Sequence, residues 1–284
     1  MTAVISIDGL LVPPEQATIS VLDRGLLYGD GCFEVLRTWS GAAVDLAAHL
    51  DRLYGALQHM QLRAIERGEL AAAVDRTIAA AGPGDHRVRI VITRGPGGLG
   101  AHTVSLGPGR AIVIVEPLGD QPREISAAIV DWPLPRRRGH AHKTLAYLDH
   151  VIARDLARAA GADEAIRLDA EGRAVEGATS NLFAVIGGAV VTAPVDGGLL
   201  PGVVRGRVLA ACGRERIPAR EDAFTVAALR SAEEIFVSSS LRGVVAVTRL
   251  DGVERVAGPL AGQIAKSVVA EMHTLGAAAR AARV

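Results

Sequence analysis

The chain has 284 residues, 49% of them apolar and only 3% aromatic, with 31 basic side chains balancing 31 acidic ones. That length suits two domains of roughly 100–170 residues, each with a core built mostly from Ala, Val, Leu and Ile. Zero net charge excludes any general attraction to nucleic acid or to an anionic membrane. The first residues, "AVISIDGLLV", predict a hairpin turning at Asp8-Gly9, and they lack the basic-then-apolar pattern of a signal peptide. "GCFEVLRTWSGAAVDL" predicts two strands joined at Ser40-Gly41. Alternation there puts Phe33, Val35 and Arg37 on one face and Glu34, Leu36 and Thr38 on the other. "AAHLDRLYGALQHMQL" carries Leu50, Leu53, Leu57 and Met60 at helical spacing, and "RGELAAAVDRTIAAAG" predicts a second helix. "HRVRIVITRGPGGLG" is a strand entering a glycine-rich loop, and "GRAIVIVEPL" is another strand.

"GDQPRE" has the composition of a linker. It divides the chain into residues 1–118, a linker at 119–125, and residues 126–284. The second half opens with the strand "ISAAIVDWPLP" and continues with the helix "TLAYLDHVIARDLARAAG", which is capped at Gly161. "EAIRLDAEGRAVEGATSNLFAVIGGAVVTAP" predicts consecutive strands. "PGVVRGRVLAAC" predicts a helix with Pro201 in its first turn. "EEIFVSSSLRGVVAVTRLDG" gives strand, polar loop and strand, and "GPLAGQIAKSVVAEMHTL" a last helix. Two α+β halves follow. No apolar run approaches the ~20 residues that span a bilayer. Cys32 and Cys212 make no disulfide framework. A soluble, cytoplasmic protein is expected, with no metal site.

Lysine is rare: it stands at Lys143 and then not until Lys266. A lysine at a helix start meets the positive end of the dipole, which favours the neutral, nucleophilic amine. A Schiff base with an aldehyde cofactor requires that form. Glu176, at a strand end in "GRAVEGATSNLF", is the kind of carboxylate that keeps a pyridine nitrogen protonated. "LLPGVVRG" leads into a helix start, where backbone N–H groups bind anions. "VSSSLRG" adds hydroxyls, and Arg52 in "HLDRLY" a bidentate fork. Taken singly, each also fits a bland role: a solvated lysine, a turn glutamate, an ordinary helix start, a surface arginine.

As an ordered set, "DRGLLYGDGCFEVLR", "HLDRL", "VITRG", "HKTLAYLDHVIARDLARAAGADEAIRLDAEGRAVEGATSNLF", "LLPGVVR" and "EEIFVSSSLRGVVAV" resemble the class IV, or fold type IV, pyridoxal-phosphate enzymes. The resemblance runs over about residues 5–270. It implies a two-domain α+β fold, with a smaller N-terminal α/β domain and a larger, cofactor-binding C-terminal domain around a β-barrel-like core. It implies that Lys143 forms the Schiff base with pyridoxal 5'-phosphate and shuttles the proton between Cα and C4′. Glu176 would pair with the pyridine nitrogen. Arg52, the N–H groups of Val203 and Val204, and Ser239 and Ser240 would hold the phosphate; Val204 stands where relatives often have threonine. Leu200 would pack on the ring and Asn181 would support the site. Tyr147 is one residue nearer the lysine than the cofactor-contacting tyrosine of branched-chain enzymes. The family also implies a homodimer, with residues 94–103 as the contributing loop.

The activities within the family divide on substrate. Phe33 and the loop "TRGPGGLGAHTV" lack the tyrosine and intact carboxylate trap of the bacillus-type D-amino-acid enzymes, although His102 is a possible remnant. "FEVLR" is similar to the branched-chain "FEGIR" with Val35 in place of glycine. "GDGCFE" and "SSLRG" are similar to stretches of aminodeoxychorismate lyases. The first expectation is a transaminase moving an amino group between a D-amino acid or (R)-amine and a 2-keto acid. Arg37, Arg94 and Arg242 would bind carboxylate, and Phe33, Val35 and His102 would line the substrate. The alternatives are a 4-amino-4-deoxychorismate lyase releasing pyruvate and 4-aminobenzoate, and a branched-chain L-amino-acid aminotransferase.

Overall fold

A computed structural model describes residues 3–63, 65–100, 109–134, 141–196 and 198–281. The chain forms two compact units. The first comprises Met1–Asp120, His142–Tyr147 and Met272–Val284, and the second Gln121–Ala141 and Leu148–Glu271.

In the first unit, β1 (Val4–Ile7) and β2 (Leu10–Val12) turn through Asp8 and Gly9, both at positive φ, as the sequence predicts. A short helix, α1 (Arg24–Tyr28), precedes β3 (Gly31–Trp39) and β4 (Ala42–Ala43); α2 (Leu46–His59), α3 (Arg67–Ala80), β5 (His86–Thr93) and β6 (Ala111–Pro117) follow. The six strands form one sheet in the order β2-β1-β6-β5-β3-β4. Cys32 and Leu36 of β3 and Val88, Ile90 and Ile92 of β5 share a core with Leu50, Leu53 and Leu57 of α2 and Leu70, Val74 and Ile78 of α3. Both helices therefore cover that face. The opposite face carries Phe33, Val35 and Arg37, directly across from Val91, Arg89 and Arg87 of β5.

Residues 142–147 lie against the start of β3. The Phe33 N–H donates to the Lys143 carbonyl at 2.8 Å, and the Leu145 N–H donates to the Gly31 carbonyl at 2.9 Å. Two glycines permit this approach. A Cβ on Gly31 would stand 2.6 Å from Leu145 Cδ1, and one on Gly29, itself at φ +65°, 2.9 Å from the Ala146 nitrogen. The helix expected from Thr144 is corrected by this pairing: β3 captures the backbone of 143–145.

The second unit contains β7 (Glu124–Ile129), α4 (Leu148–Ala159), β8 (Glu164–Leu168), β9 (Arg173–Gly177), β10 (Asn181–Ile186), β11 (Ala189–Thr192) and α5 (Val203–Arg214). It continues with β12 (Ala219–Glu221), β13 (Phe224–Thr225), α6 (Val226–Ser231), β14 (Glu234–Ser239), β15 (Gly243–Leu250) and β16 (Val253–Glu254). The last helix, α7 (Pro259–Ala281), belongs to this unit as far as Glu271. Pro201 lies ahead of the α5 N-cap, Gly202, rather than within the first turn.

Six strands close on themselves in the order β9-β10-β14-β15-β7-β8 and back to β9, with the pairing of Asn181 and Glu176 joining β10 to β9. The α+β fold and its expected barrel core are thus observed. Closure removes exposed strand edges. The interior is apolar, with Ile125, Ala127, Ile166, Ala174, Leu182, Ala184, Ile235, Val237, Val245 and Val247. Ala174 and Glu176, two residues apart, would share a face in a regular strand. The register shifts between their partners Leu168 and Arg167. That bulge sends Ala174 into the core and sets Glu176 beside Arg167 on the other face.

Candidate active site

Each unit holds its own group of the expected residues. In the first, Lys143 Nζ lies 4.7 Å from the centre of the Phe33 ring and 5.2 Å from that of Tyr147. The two rings meet edge to face, 5.1 Å apart. Tyr147, despite its shorter spacing in sequence, is thus brought beside the lysine. The helix-dipole argument for Lys143 does not hold: α4 begins only at Leu148, and Lys143 sits in extended chain beside β3.

Phe33 carries a second cation that the sequence reading missed. Arg89 Cζ stands 4.2 Å from the ring centre. Arg89 is directly opposite Val35 in the β3–β5 ladder, and among the described residues its guanidinium has no carboxylate partner. Burial pushes its titration below the ordinary arginine value; Tyr147 opposes this and Arg87 adds to it. The available signal was the alternation in "HRVRIV", which puts Arg87 and Arg89 on the same face as the Phe33 row.

The arginines expected to bind carboxylate have other partners. Arg37 pairs with Asp85 at 2.9 Å and lies 4.3 Å over Trp39. Arg94 pairs with Asp30 at 2.7 Å and donates to the Gln61 and Met60 carbonyls at 3.1 and 2.9 Å. Arg242, in the second unit, pairs with Glu164 at 2.7 Å. His102 falls outside the described residues. Arg52 grips Glu34 through Nε and Nη2, both at 2.7 Å, while His49 Nδ1 lies 2.7 Å from the same carboxylate. Burial alone would raise the Glu34 carboxyl; the hydrogen bonds from Arg52 and His49 outweigh it and hold it down at about 2.

In the second unit, Glu176 is buried and faces the same way as its cross-strand neighbours Arg167 and Asn181, with Ser238 next in the row beyond Asn181. Asn181 Nδ2 donates to the Leu200 carbonyl at 3.0 Å, and its Oδ1 occupies the space that a Cβ on Gly202 would fill. Asn181 so pins the turn that opens α5. Among the described residues no side chain caps that helix, so its first-turn N–H groups at Val203 and Val204 have no side-chain acceptor, the arrangement that suits an anion. Ser239 and Ser240, half-buried, lie at the β14–β15 turn. Among the described residues Ser238 Oγ is buried without a hydrogen-bond partner. An uncapped helix start, nearby hydroxyls and a buried carboxylate fit a phosphorylated pyridine.

Residues 31–250 match the class IV aminotransferase family. The chain is 34% identical over 254 residues to a proposed branched-chain-amino-acid aminotransferase of Methanocaldococcus jannaschii, covering 87% of this chain and 88% of that one. It is 27% identical to a D-alanine aminotransferase of Listeria monocytogenes, covering 94% and 96%. Among solved structures, the branched-chain aminotransferase of Thermoproteus uzoniensis with norvaline superposes with a TM-score of 0.88 at 30% identity, over 96% of this chain and 95% of that one. The chain belongs to the class IV aminotransferases, enzymes that use pyridoxal phosphate to exchange amino groups between small amino and keto acids. No helix among the described residues is long and apolar enough to cross a membrane.

Proposed function

We propose that the protein is an L-amino-acid transaminase of the branched-chain type. The observation that carries this reading is the wall formed by Phe33, Val35 and Arg89 beside Lys143. Its apolar part suits an aliphatic side chain. Its one guanidinium without a carboxylate partner suits an acid rather than a plain amine. Arg37, Arg94 and Arg242, required by the D-amino-acid expectation, already hold Asp85, Asp30 and Glu164. The identities of 34% to the Methanocaldococcus jannaschii protein and 30% to the Thermoproteus uzoniensis enzyme, against 27% to the Listeria monocytogenes D-alanine aminotransferase, support the same choice.

Pyridoxal phosphate, when bound, supplies an electron sink for the charge that develops at the substrate Cα. Every other role falls to this chain. Lys143 would be the amine that holds the cofactor aldehyde, and the same amine would carry the proton between the substrate Cα and C4′, two bonds away. Glu176 keeps the pyridine nitrogen protonated. The N–H groups of Val203 and Val204, Ser239, Ser240 and Arg52 hold the phosphate, with Glu34 fixing the plane of the Arg52 guanidinium. Leu200 packs on the ring, Asn181 fixes the turn beneath it, and Tyr147 lies alongside Lys143. Arg89 receives a substrate carboxylate. We also propose a cytoplasmic homodimer; exposed Val21, Leu22, Leu26 and Leu99 in the first unit support a covered face there.

The test mixes the yellow cofactor-loaded protein with L-leucine, L-glutamate, D-alanine, D-glutamate or aminodeoxychorismate and follows the absorbance near 410–420 nm. Bleaching by the L-amino acids and not their D-forms supports the reading, as does an Arg89→Leu variant whose KM for 2-keto acid rises with kcat little changed. Bleaching by D-alanine or D-glutamate alone overturns it. Release of pyruvate and 4-aminobenzoate assigns the lyase reaction instead.

A further inference from the structure

Glu164, at the start of β8, has no exposed surface. One of its oxygens, Oε2, accepts from Arg242 Nη2 at 2.7 Å, Thr179 Oγ1 at 2.9 Å and Ser180 Oγ at 3.1 Å. The other accepts from the Ala165 N–H at 3.3 Å. The side-chain donors come from two separate loops. Thr179 and Ser180 lie in the turn between β9 and β10; Arg242 lies in the turn between β14 and β15. The next glycine along makes room for this: a Cβ on Gly177 would press to 3.2 Å on Glu164 Cγ and Cδ and overlap Ser180 Oγ.

A wholly buried carboxylate persists only when its donors compensate the lost hydration, and those donors in turn lose their acceptor if it is removed. A single oxygen atom therefore ties the two loops together. The first loop runs from Glu176 to Asn181. The second carries Ser239 and Ser240. We propose that Glu164, acting through Arg242, is a positioning residue that sets the 239–242 turn so that the Ser239 and Ser240 hydroxyls meet the cofactor phosphate. Through Thr179 and Ser180 it fixes the β9–β10 turn from the same point. Arg242 is then a strut for the phosphate loop and not a substrate ligand. This rests on the assignment of Ser239 and Ser240 to the phosphate.

The test compares the affinities of the apo-protein for pyridoxal phosphate and for unphosphorylated pyridoxal. It is run on wild type, Glu164→Gln, Arg242→Met, Arg242→Lys and a Ser239→Ala/Ser240→Ala double variant, with the 31P resonance of the bound cofactor as a second readout. Glu164→Gln and Arg242→Met should each weaken pyridoxal phosphate roughly tenfold, the scale seen when a supporting residue behind a ligand is lost. Pyridoxal binding should stay near wild type, the 31P resonance should move, and Arg242→Lys should restore part of the loss. Equal weakening of both compounds, or an unchanged preference for the phosphorylated one while the serine variant loses it, overturns the proposal. An unchanged preference in the serine variant overturns the phosphate assignment itself, and this inference with it. If Glu164→Gln does not fold, Arg242→Met alone decides.

Discussion

Glu34 is a buried charge of the first unit, with Arg52 in a two-point grip and His49 on the same carboxylate, both from helix α2. Removing one partner of such a buried pair leaves the other charge uncompensated, at about 3–5 kcal/mol. Glu34→Gln should therefore lower the denaturation midpoint of the protein markedly. Because the Glu34 carboxyl is held at about 2 rather than its ordinary 4.5, its contribution is fully present above pH 4.5. It is lost as the pH falls toward 2. An acid titration of stability should show that loss in wild type and not in Glu34→Gln. In the same strand, burial pushes the Cys32 thiol up to about 12, with Glu34 adding, so Cys32 stays protonated and should resist alkylation in the native protein.

At the scale of the element, the sequence was legible where pattern alone decides. The hairpin at Asp8-Gly9, helices α2 and α3, and the alternation in β3 all follow from local periodicity and turn chemistry. It misled where another strand intervenes. Residues 144–147 have helical composition, yet the start of β3 captures the backbone of 143–145 and α4 starts only at Leu148. The bulge in β9 was equally invisible, because a register shift is fixed by the partner strand β8. Helix starts make testable cases. Gly202→Ala should push Asn181 off the turn at α5, since the new Cβ would overlap Asn181 Oδ1; the affinity for inorganic phosphate should fall more than overall stability. Glu234 accepts the N–H groups of Leu260 and Ala261 at 3.0 and 2.7 Å, capping α7. Glu234→Ala should cost about 1–2 kcal/mol, the usual loss for a helix cap, measured by urea denaturation.

For the molecule as a whole, the closed barrel carries a large apolar core in the second unit. Leu182 lies wholly buried in its interior beside Val237, its partner on β14. Leu182→Ala should destabilise by about 2–5 kcal/mol through lost burial and a residual cavity, read as a shift in the denaturation midpoint. The sequence by itself determined the class of chemistry. Lys143, Glu176, "LLPGVVR" and "VSSSLRG" are each ordinary alone, but their order along the chain resembles that of the class IV pyridoxal-phosphate enzymes, the family that residues 31–250 match. Tertiary structure alone decided which of four arginines stands without a carboxylate partner among the described residues. Arg37, Arg89, Arg94 and Arg242 are alike as letters, and only the fold sets Asp85, Asp30 and Glu164 against three of them and Phe33 against the fourth. A charge has no fixed role until the chain places its partner, and those partners lie 48, 64 and 78 residues away in sequence.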